Sequence, residues 1–346
     1  MSTQADEHFQ RNVYILAIET SCDETAVAIV ENGVTIKSSV ISSQVAIHQQ
    51  YGGVVPEVAS RQHVECITLL LEQAITEAGV SLKELSAIAV TQGPGLVGAL
   101  IVGVVAAKAL SYALRIPLIG VHHIAGHIYA NQLVHELQYP FMALVVSGGH
   151  TELIYTSEPG QFCMIGRTRD DAAGEAFDKV ARAMNLPYPG GPHIDRLAQE
   201  SSSAITFPRA WLEPDSYDFS FSGLKSAVLN MINQSHMRGE ALQVAQIARG
   251  FQESVIDVLV SKAMRAVTQY PCKQLLVAGG VAANQGLRQR LMMECEKRGL
   301  PLVVPPLSLC TDNAAMIAAA AYLKWQKQEF SDLELKADPQ MRVEHW

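Results

Sequence analysis

Two stretches of the chain repeat one local pattern, and this repeat constrains the fold more than any other feature. The stretches "VYILAIETSCDETAVAIVENG" (13–33) and "PFMALVVSGGHTELIYTSEPG" (140–160) each predict a strand, a tight polar turn and a second strand, and each closes on a glycine. They lie about 127 residues apart, and each is followed by helical patterning and further short strands. The repeat predicts a duplicated α/β domain with one lobe per copy.

The duplication sets the expected domain boundaries. We expect a first lobe over 1–138, a second lobe over 139–313, and a C-terminal helix and tail (314–346) that pack back on the first lobe. The segment 167–238 is rich in Pro, Gly, Asp and Ser, so we expect a mostly helical insertion with long loops there. Elsewhere the patterns predict strands at 87–91, 118–121, 274–278 and 302–304, and helices at 61–78, 98–114, 123–137, 241–268, 284–298 and 312–327.

Composition agrees with a globular, cytoplasmic protein. Hydrophobic residues make up 49% of the 346 and charged residues 17%, which is enough apolar material for two cores. The longest apolar run, 96–107, is too short to span a bilayer and predicts a buried helix, so no membrane association is expected. The polar N-terminus lacks the pattern of a signal or transit peptide, and the six cysteines form no CxxC pair.

The net charge bears on possible partners. With 26 basic and 34 acidic residues, the formal charge is −8. A protein that binds RNA unaided is usually basic, so RNA binding here would need a local basic patch or a basic partner.

The stretch "VHHIAGHIYA" (121–130) places two histidines four residues apart in a predicted helix. His123 and His127 would share one helix face and could bind one ion, or they could be core or capping histidines. A third ligand is available in "LCTDNAAMIA" (309–318), where Asp312 could either join the histidines or cap the following helix. Two imidazoles and a carboxylate suit catalytic zinc or ferrous iron.

Polar turns follow several predicted strands. They are "ETSCDET" (19–25), "VSGGH" (146–150) and "VAGGVAANQGLR" (277–288), with a Gly-Pro-Gly turn in "TQGPGLVGAL" (91–100). Any one of them could be a plain structural turn, but together they are what a nucleotide cleft between two lobes requires.

The ordered series "ETSCDET", "GPGLVGAL", "HHIAGH", "VSGGHTEL", "DDAAGEAFDK", "YPGGP", "FSFSGLKSA", "GGVAAN" and "TDNAAMIA" resembles the TsaD family, over about residues 13–323. These proteins are bacterial tRNA N6-adenosine threonylcarbamoyltransferases, formerly called glycoproteases. The resemblance implies an α/β fold of two duplicated actin-like lobes (the actin/Hsp70/sugar-kinase, ribonuclease H-like class), with a nucleotide and metal cleft between them.

The resemblance also implies a set of site residues. His123, His127 and Asp312 would bind one iron ion, Fe²⁺, with zinc as an alternative. Ser147, Gly148 and Gly149 are candidates for stabilising an anion, and no residue is singled out as a general base. Asp178 could instead be a salt-bridged helix residue and Asn284 a helix cap, while Lys225 in "FSFSGLKSA" has no assigned role. The implied substrate contacts are Val146, Ser147, Gly148, Gly149, His150, Asp178, Gly191, Asp195 and Asn284.

The reaction that the resemblance implies is an acyl transfer. A threonylcarbamoyl group would pass from threonylcarbamoyl-AMP to N6 of adenosine 37, in tRNAs that read codons starting with A, to give t6A and AMP. The implied partners are tRNA, a TsaB-like paralogue without the metal site, and a TsaE-like ATPase. The apolar helix at 98–114 could dock such a partner or simply belong to the core.

Three other functions are weighed. A sugar kinase or ATPase on this fold needs an acid at the second-lobe turn, where this chain carries Ser147 and His150. A metal peptidase is disfavoured because Ile124 stands where an HExxH motif has its glutamate. A nucleotide-dependent scaffold or chaperone-like ATPase stays open.

Overall fold

The computed structural model describes residues 12–346. The polar N-terminal stretch, on which the expectation of a cytoplasmic location partly depends, lies almost wholly outside the described residues, as does the beginning of the predicted first lobe. The strands form two five-stranded sheets. Their bounds are β1 (Tyr14–Glu19), β2 (Glu24–Glu31), β3 (Thr35–Ser43), β4 (Leu85–Gly93), β5 (Leu118–His122), β6 (Phe141–Val146), β7 (Thr151–Thr156), β8 (Phe162–Arg167), β9 (Gln274–Ala278) and β10 (Leu302–Val303).

The two sheets have the same topology, which confirms the predicted duplication. The first has the order β3-β2-β1-β4-β5, and the second has the order β8-β7-β6-β9-β10. In each, the first strand of the lobe pairs antiparallel with the second and parallel with the fourth. The third strand of each lobe, β3 and β8, was missed from the sequence because an edge strand buries little and its apolar pattern is weak.

Ten α-helices lie in the described residues. Most of them match the predicted helices, and within 167–238 lie α5, α6 and α7, with a long loop between α6 and α7. Their bounds are α1 (Val45–His48), α2 (Pro56–Ala78), α3 (Val97–Leu114), α4 (His123–Tyr129), α5 (Ala173–Ala183), α6 (Gly190–Glu200), α7 (Ser222–Met237), α8 (Val244–Gln269), α9 (Gln285–Glu296) and α10 (Ala314–Gln326).

Helix α4 is shorter than the predicted helix at 123–137. It ends at Tyr129 and a 3₁₀ turn follows over Ala130–Leu133. The side chain of Asn131 donates hydrogen bonds to the carbonyls of Ile128 (3.1 Å) and Val277 (3.4 Å). This side chain competes with the helical backbone and anchors the end of the helix to β9.

The apolar faces of the helices determine how the helices pack on the two sheets. Helices α2 and α3 cover the outer face of the first sheet, while α4 and α10 lie on its other face, toward the second sheet. Every residue of the run 314–321 in α10 is fully buried. Because most of these residues are alanines, the backbone of the helix can pack close to the first sheet. Helices α5–α9 enclose the core of the second lobe.

Helix α3 differs from its prediction as a buried helix. Only one face is buried, through Ala99, Gly103 and Ala107, whereas Ile101 and Val105 are exposed. Among the described residues it is the one helix that is long and apolar enough to cross a membrane, by length and composition only. Because the sheet covers one side only, a strongly apolar sequence was not sufficient to bury the whole helix.

Candidate metal centre and substrate cleft

The two strand-end turns and the paired histidines meet at one edge of the two sheets. Strand β1 ends at Glu19 and strand β6 at Val146, so the turns after them occupy equivalent places in the two lobes. Helix α4 begins directly after β5. Since the carboxyl ends of parallel strands meet at one edge, the first-lobe turn, the second-lobe turn and the histidines converge there.

The structure brings His123, His127 and Asp312 together. The two imidazole rings are perpendicular, with centroids 4.7 Å apart. Asp312 Oδ1 lies 3.1 Å from His127 Nε2 and 3.6 Å from His123 Nε2. One ligand atom from each residue lies within 4.8 Å of the others. The capping alternative for Asp312 is wrong, because the side chain that caps α10 is that of Asn313, which accepts from the amide of Met316.

The donor set of this cluster fits a divalent metal ion. Both ring nitrogens of His127 are buried and, among the described residues, neither has a hydrogen-bond partner. Its Nε2 lies 3.1 Å from Asp312 Oδ1 but does not meet the geometry of a hydrogen bond. Buried polar nitrogens without partners are costly, and an ion bound between them would satisfy them. Two imidazoles and a carboxylate are ligands that zinc and ferrous iron accept.

The electrostatics of the cluster favour a bound cation. Burial alone would raise the pKa of Asp312, but the imidazoles of His123 and His127 lower it below its usual value. Burial alone would lower the pKa of His123, but the carboxylates of Asp312 and Glu19 outweigh it and raise the pKa to about 9. The two carboxylates therefore attract positive charge to a buried place.

The second-lobe turn at 146–150 forms a tight loop beside this cluster. The amide of Ser147 donates to the carbonyl of His150 (2.8 Å), and the amide of His150 donates to Ser147 Oγ (3.1 Å). Gly148 and Gly149 are exposed, and a side chain at either would meet no other atom within 4 Å. The crest of the turn therefore faces open space, while Val146 behind it is buried.

His150, the last residue of the turn, lies near the histidine pair. Its ring centroid is 6.4 Å from that of His123. Burial, with a contribution from the charge on His123, lowers the pKa of His150 to about 4, so its imidazole is neutral at physiological pH. A neutral ring can donate and accept one hydrogen bond each.

Gly191 lies at the start of helix α6, and Asp178, on α5, reaches this helix start through its side chain. Asp178 Oδ1 accepts the amide of Gly190 (2.7 Å), and Asp178 makes no ion pair within residues 12–346, so the salt-bridge alternative is wrong. Burial raises the pKa of Asp178 to about 6. A side chain at position 191 would meet no atom within 4 Å, which leaves open space in front of the helix.

Asp195 and Asn284 are joined through a residue that sequence reasoning missed. Gln252, buried in α8, donates to Asp195 Oδ1 (3.0 Å) and accepts from Asn284 Nδ2 (2.7 Å). Asn284 also caps α9, accepting from Leu287 (2.8 Å), so the capping alternative for it is confirmed alongside the network. The available signal was a glutamine on the apolar face of a predicted helix.

The glycine turn after β9 touches the second-lobe turn. A Cβ built on Gly279 would lie 2.5 Å from the carbonyl oxygen of Val146, so only glycine permits this approach. Lys225, whose role was left open, forms an ion pair with Asp171 (2.6 Å). It therefore secures the start of the insertion.

Comparisons with known proteins give one family. The family model described as TsaD, tRNA N6-adenosine threonylcarbamoyltransferase, matches residues 35–319. A protein of that name from Geobacillus thermodenitrificans is 64% identical over 329 residues, covering 95% of this chain and 96% of the relative. Another from Halalkalibacterium halodurans is 61% identical over 331 residues, covering 96% of each.

Solved structures of lower identity show the same fold. HypF of T. kodakarensis superposes with a TM-score of 0.62 at 14% identity, covering 95% of this chain and 49% of that one. Component A of the (R)-2-hydroxyglutaryl-CoA dehydratase of Acidaminococcus fermentans superposes with a TM-score of 0.54 at 14% identity. The match covers 91% of this chain and 98% of that one. The predicted α/β class of two actin-like lobes is confirmed.

Proposed function

The chain belongs to the TsaD family of tRNA N6-adenosine threonylcarbamoyltransferases, and we propose that it is an acyltransferase that forms t6A in tRNA. The donor is threonylcarbamoyl-AMP, and the acceptor is N6 of adenosine 37 in tRNAs that read codons starting with A. The observation that carries the proposal is an identity of 61% or more over nearly the whole length of relatives with that name. Those names do not favour the scaffold and peptidase alternatives.

The cluster of His123, His127 and Asp312 is proposed to hold one divalent ion, iron or alternatively zinc. The support is the convergence of three ligand atoms and the unpartnered nitrogens of His127. When bound, such an ion supplies positive charge that neutralises nucleotide phosphate and improves AMP as a leaving group.

The remaining residues act by positioning and by stabilising charge. The adenine amine is a weak nucleophile, so its alignment with the carbamoyl carbon supplies much of the rate. A new bond forms between N6 and that carbon, the bond from the carbon to the phosphate oxygen breaks with its electron pair going to AMP, and N6 releases one proton. The open turn at Gly148 and Gly149 suits backbone amides that stabilise the oxyanion. Asp178, Gly191, Asp195 and Asn284 hold the nucleotide from the second lobe.

Partner proteins are proposed to complete the tRNA surface. The formal charge of −8 makes a chain that binds RNA poorly alone. Helix α3 carries a stripe of exposed apolar residues, Val97, Ile101, Val105 and Tyr112, with 48–74% of each exposed. We propose that a TsaB-like paralogue docks on this stripe and that a TsaE-like ATPase acts with the pair in the cytoplasm.

The test is transfer from threonylcarbamoyl-AMP to unmodified tRNA, with and without the TsaB-like partner. We expect modification by the wild type and loss of both metal and activity in a His123→Ala/His127→Ala variant. His236→Ala, which changes an exposed histidine on α7, should keep both. If the metal-loaded wild type with its partner leaves adenosine 37 unmodified, the proposed activity is wrong.

A further inference from the structure

Glu19 is a fully buried carboxylate that the proposed reaction does not use. It ends β1 with none of its surface exposed. Burying a carboxylate costs folding free energy unless the group is paired or well hydrogen-bonded. The contacts of Glu19 therefore indicate its role.

The two oxygens of Glu19 have different partners. Oε1 accepts the backbone amide of Ser21. Oε2 accepts the hydroxyl of Thr91 (2.6 Å) and lies 3.1 Å from Nδ1 of His123. Thr91 is itself fully buried on β4, so the carboxylate is held in place from the sheet and from the first-lobe turn.

The two nitrogens of His123 face opposite groups. Nδ1 faces Glu19, and Nε2 faces Asp312 at 3.6 Å. A metal-binding nitrogen must present a lone pair, so the ring proton has to be on the other nitrogen. An acceptor at Nδ1 places the proton there and leaves Nε2 for the ion. Glu19 contributes no atom to the converging cluster itself.

We propose that Glu19 is a positioning residue, which holds the proton of His123 on Nδ1 and orients the ring so that Nε2 points to the ion. Thr91 and the turn amide of Ser21 hold the carboxylate for this task. The inference rests on the proposed metal site but assigns a role outside the three ligands. Loss of such a partner typically weakens metal affinity by roughly 10–100-fold.

One other acceptor competes for the same proton. Ser21 Oγ lies 3.2 Å from His123 Nδ1. The hydroxyl can accept or donate, whereas an ionised carboxylate only accepts, so Glu19 is the group that can dictate which nitrogen carries the proton. Ser21→Ala is therefore a matched control, because it removes the second neighbour of Nδ1 and keeps the first.

The experiment measures zinc affinity by chelator competition in the wild type, Glu19→Gln and Ser21→Ala. In Glu19→Gln the side-chain NH₂ must face either the backbone N–H of Ser21 or the Nδ1–H of His123. In both orientations two hydrogen-bond donors face each other, so the proton on Nδ1 is no longer well supported. We expect Glu19→Gln to bind zinc 10–100-fold more weakly, within the range typical of such partners, and Ser21→Ala to remain within a few-fold of the wild type.

A second readout follows the proton itself. In the zinc-loaded wild type, ¹⁵N-resolved proton NMR should show a downfield, slowly exchanging Nδ1–H of His123, and this signal should be lost or shift upfield in Glu19→Gln. If Glu19→Gln fails to fold, Thr91→Val, which removes one support of the carboxylate, should weaken zinc binding several-fold.

The outcomes separate the two proposals. If the wild type does not bind zinc or iron, the metal site is wrong. If the wild type binds and Glu19→Gln matches it in affinity and in the Nδ1–H signal, the positioning role alone is overturned. A Ser21→Ala loss as large as that of Glu19→Gln would transfer the role to the hydroxyl.

Discussion

Single residues in the cleft show how buried polar groups are tolerated. Glu19 and Asp195 are compensated by several hydrogen bonds each. Asp178 has the amide of Gly190 as its main partner and has no neighbouring cation close enough to pair with it among the described residues. Its carboxylate is therefore less well compensated, and this has a consequence for stability.

The raised pKa of Asp178 predicts a pH-dependent effect of Asp178→Asn. Native Asp178 keeps its proton up to about pH 6, whereas the unfolded residue loses it near about pH 4. The wild type therefore loses stability as the pH rises through this window, and the loss is complete above it. Relative to the wild type, the free energy of unfolding of Asp178→Asn should increase by about 2 kcal/mol between pH 4 and pH 7.5.

Urea denaturation of both proteins at the two pH values measures this difference. Nucleotide binding by Asp178→Asn should weaken, because the carboxylate is a proposed contact. A difference in the free energy of unfolding that does not change with pH would contradict the raised pKa.

At the scale of secondary-structure elements, two apolar helices, α3 and α10, have different surroundings. Helix α10 lies between the sheets and its alanine run is fully buried. Helix α3 lies against the first sheet and α2, with its outer stripe uncovered. An exposed stripe of this kind commonly marks a protein contact.

The stripe predicts a selective effect of Val105→Glu. Val105 is 59% exposed, so the charge stays in water in the isolated chain, and the free energy of unfolding should change by less than about 0.5 kcal/mol. Affinity for the TsaB-like partner should fall more than about tenfold, because a carboxylate would be buried in an apolar contact.

Isothermal titration calorimetry with the purified partner measures the affinity. Met237→Glu, at a site on α7 that is 87% exposed, is the matched control and should bind normally. Equal binding by Val105→Glu and the control would exclude α3 as the docking surface.

At the scale of the whole molecule, the C-terminal tail connects the two lobes. The tail forms hydrogen bonds with the first lobe. The backbone amide of Asp338 donates to the carbonyl of Gln92 (2.8 Å), and Nε2 of His122 donates to the carbonyl of Met341 (3.0 Å). Trp346 Nε1 donates a hydrogen bond to the carbonyl oxygen of Gly120 (3.1 Å). The ring centroid of Trp346 lies 6.0 Å from that of Phe162 in the second lobe. The tail therefore contacts both lobes, and one of its contacts is with His122, the residue before His123.

At Gly93 the tail packs directly against the first sheet. A Cβ there would lie 1.8 Å from the carbonyl oxygen of Asp338, so Gly93→Ala must displace the tail. We expect the free energy of unfolding to fall by about 1–3 kcal/mol, as for other overpacked sites, and trypsin to cut faster after Arg342.

Limited proteolysis and denaturation measure both effects. Gly223→Ala, where a Cβ meets nothing within 4 Å, should leave cleavage unchanged. Unchanged stability and cleavage in Gly93→Ala would mean that the tail moves aside without cost.

Local patterns in the sequence determined most of the elements. Strand alternation and polar turns gave the duplicated lobes, and helical periodicity placed His123 and His127 on one face. These inferences succeeded because they depend on residues a few positions apart. The metal identity, the partners, the domain boundaries and the cellular location stay predictions.

Only the tertiary structure decided which distant residues meet. Asp312 could have been a cap or a ligand, and the neighbouring Asn313 takes the cap while Asp312 faces the histidines. The partners of Glu19 and Gln252 could not be predicted locally, since His123 and Asp195 lie 104 and 57 residues away along the chain. The apolar sequence of α3 likewise did not show that one face stays exposed. Burial and long-range pairing are properties of the packed layers, and no local pattern contains them.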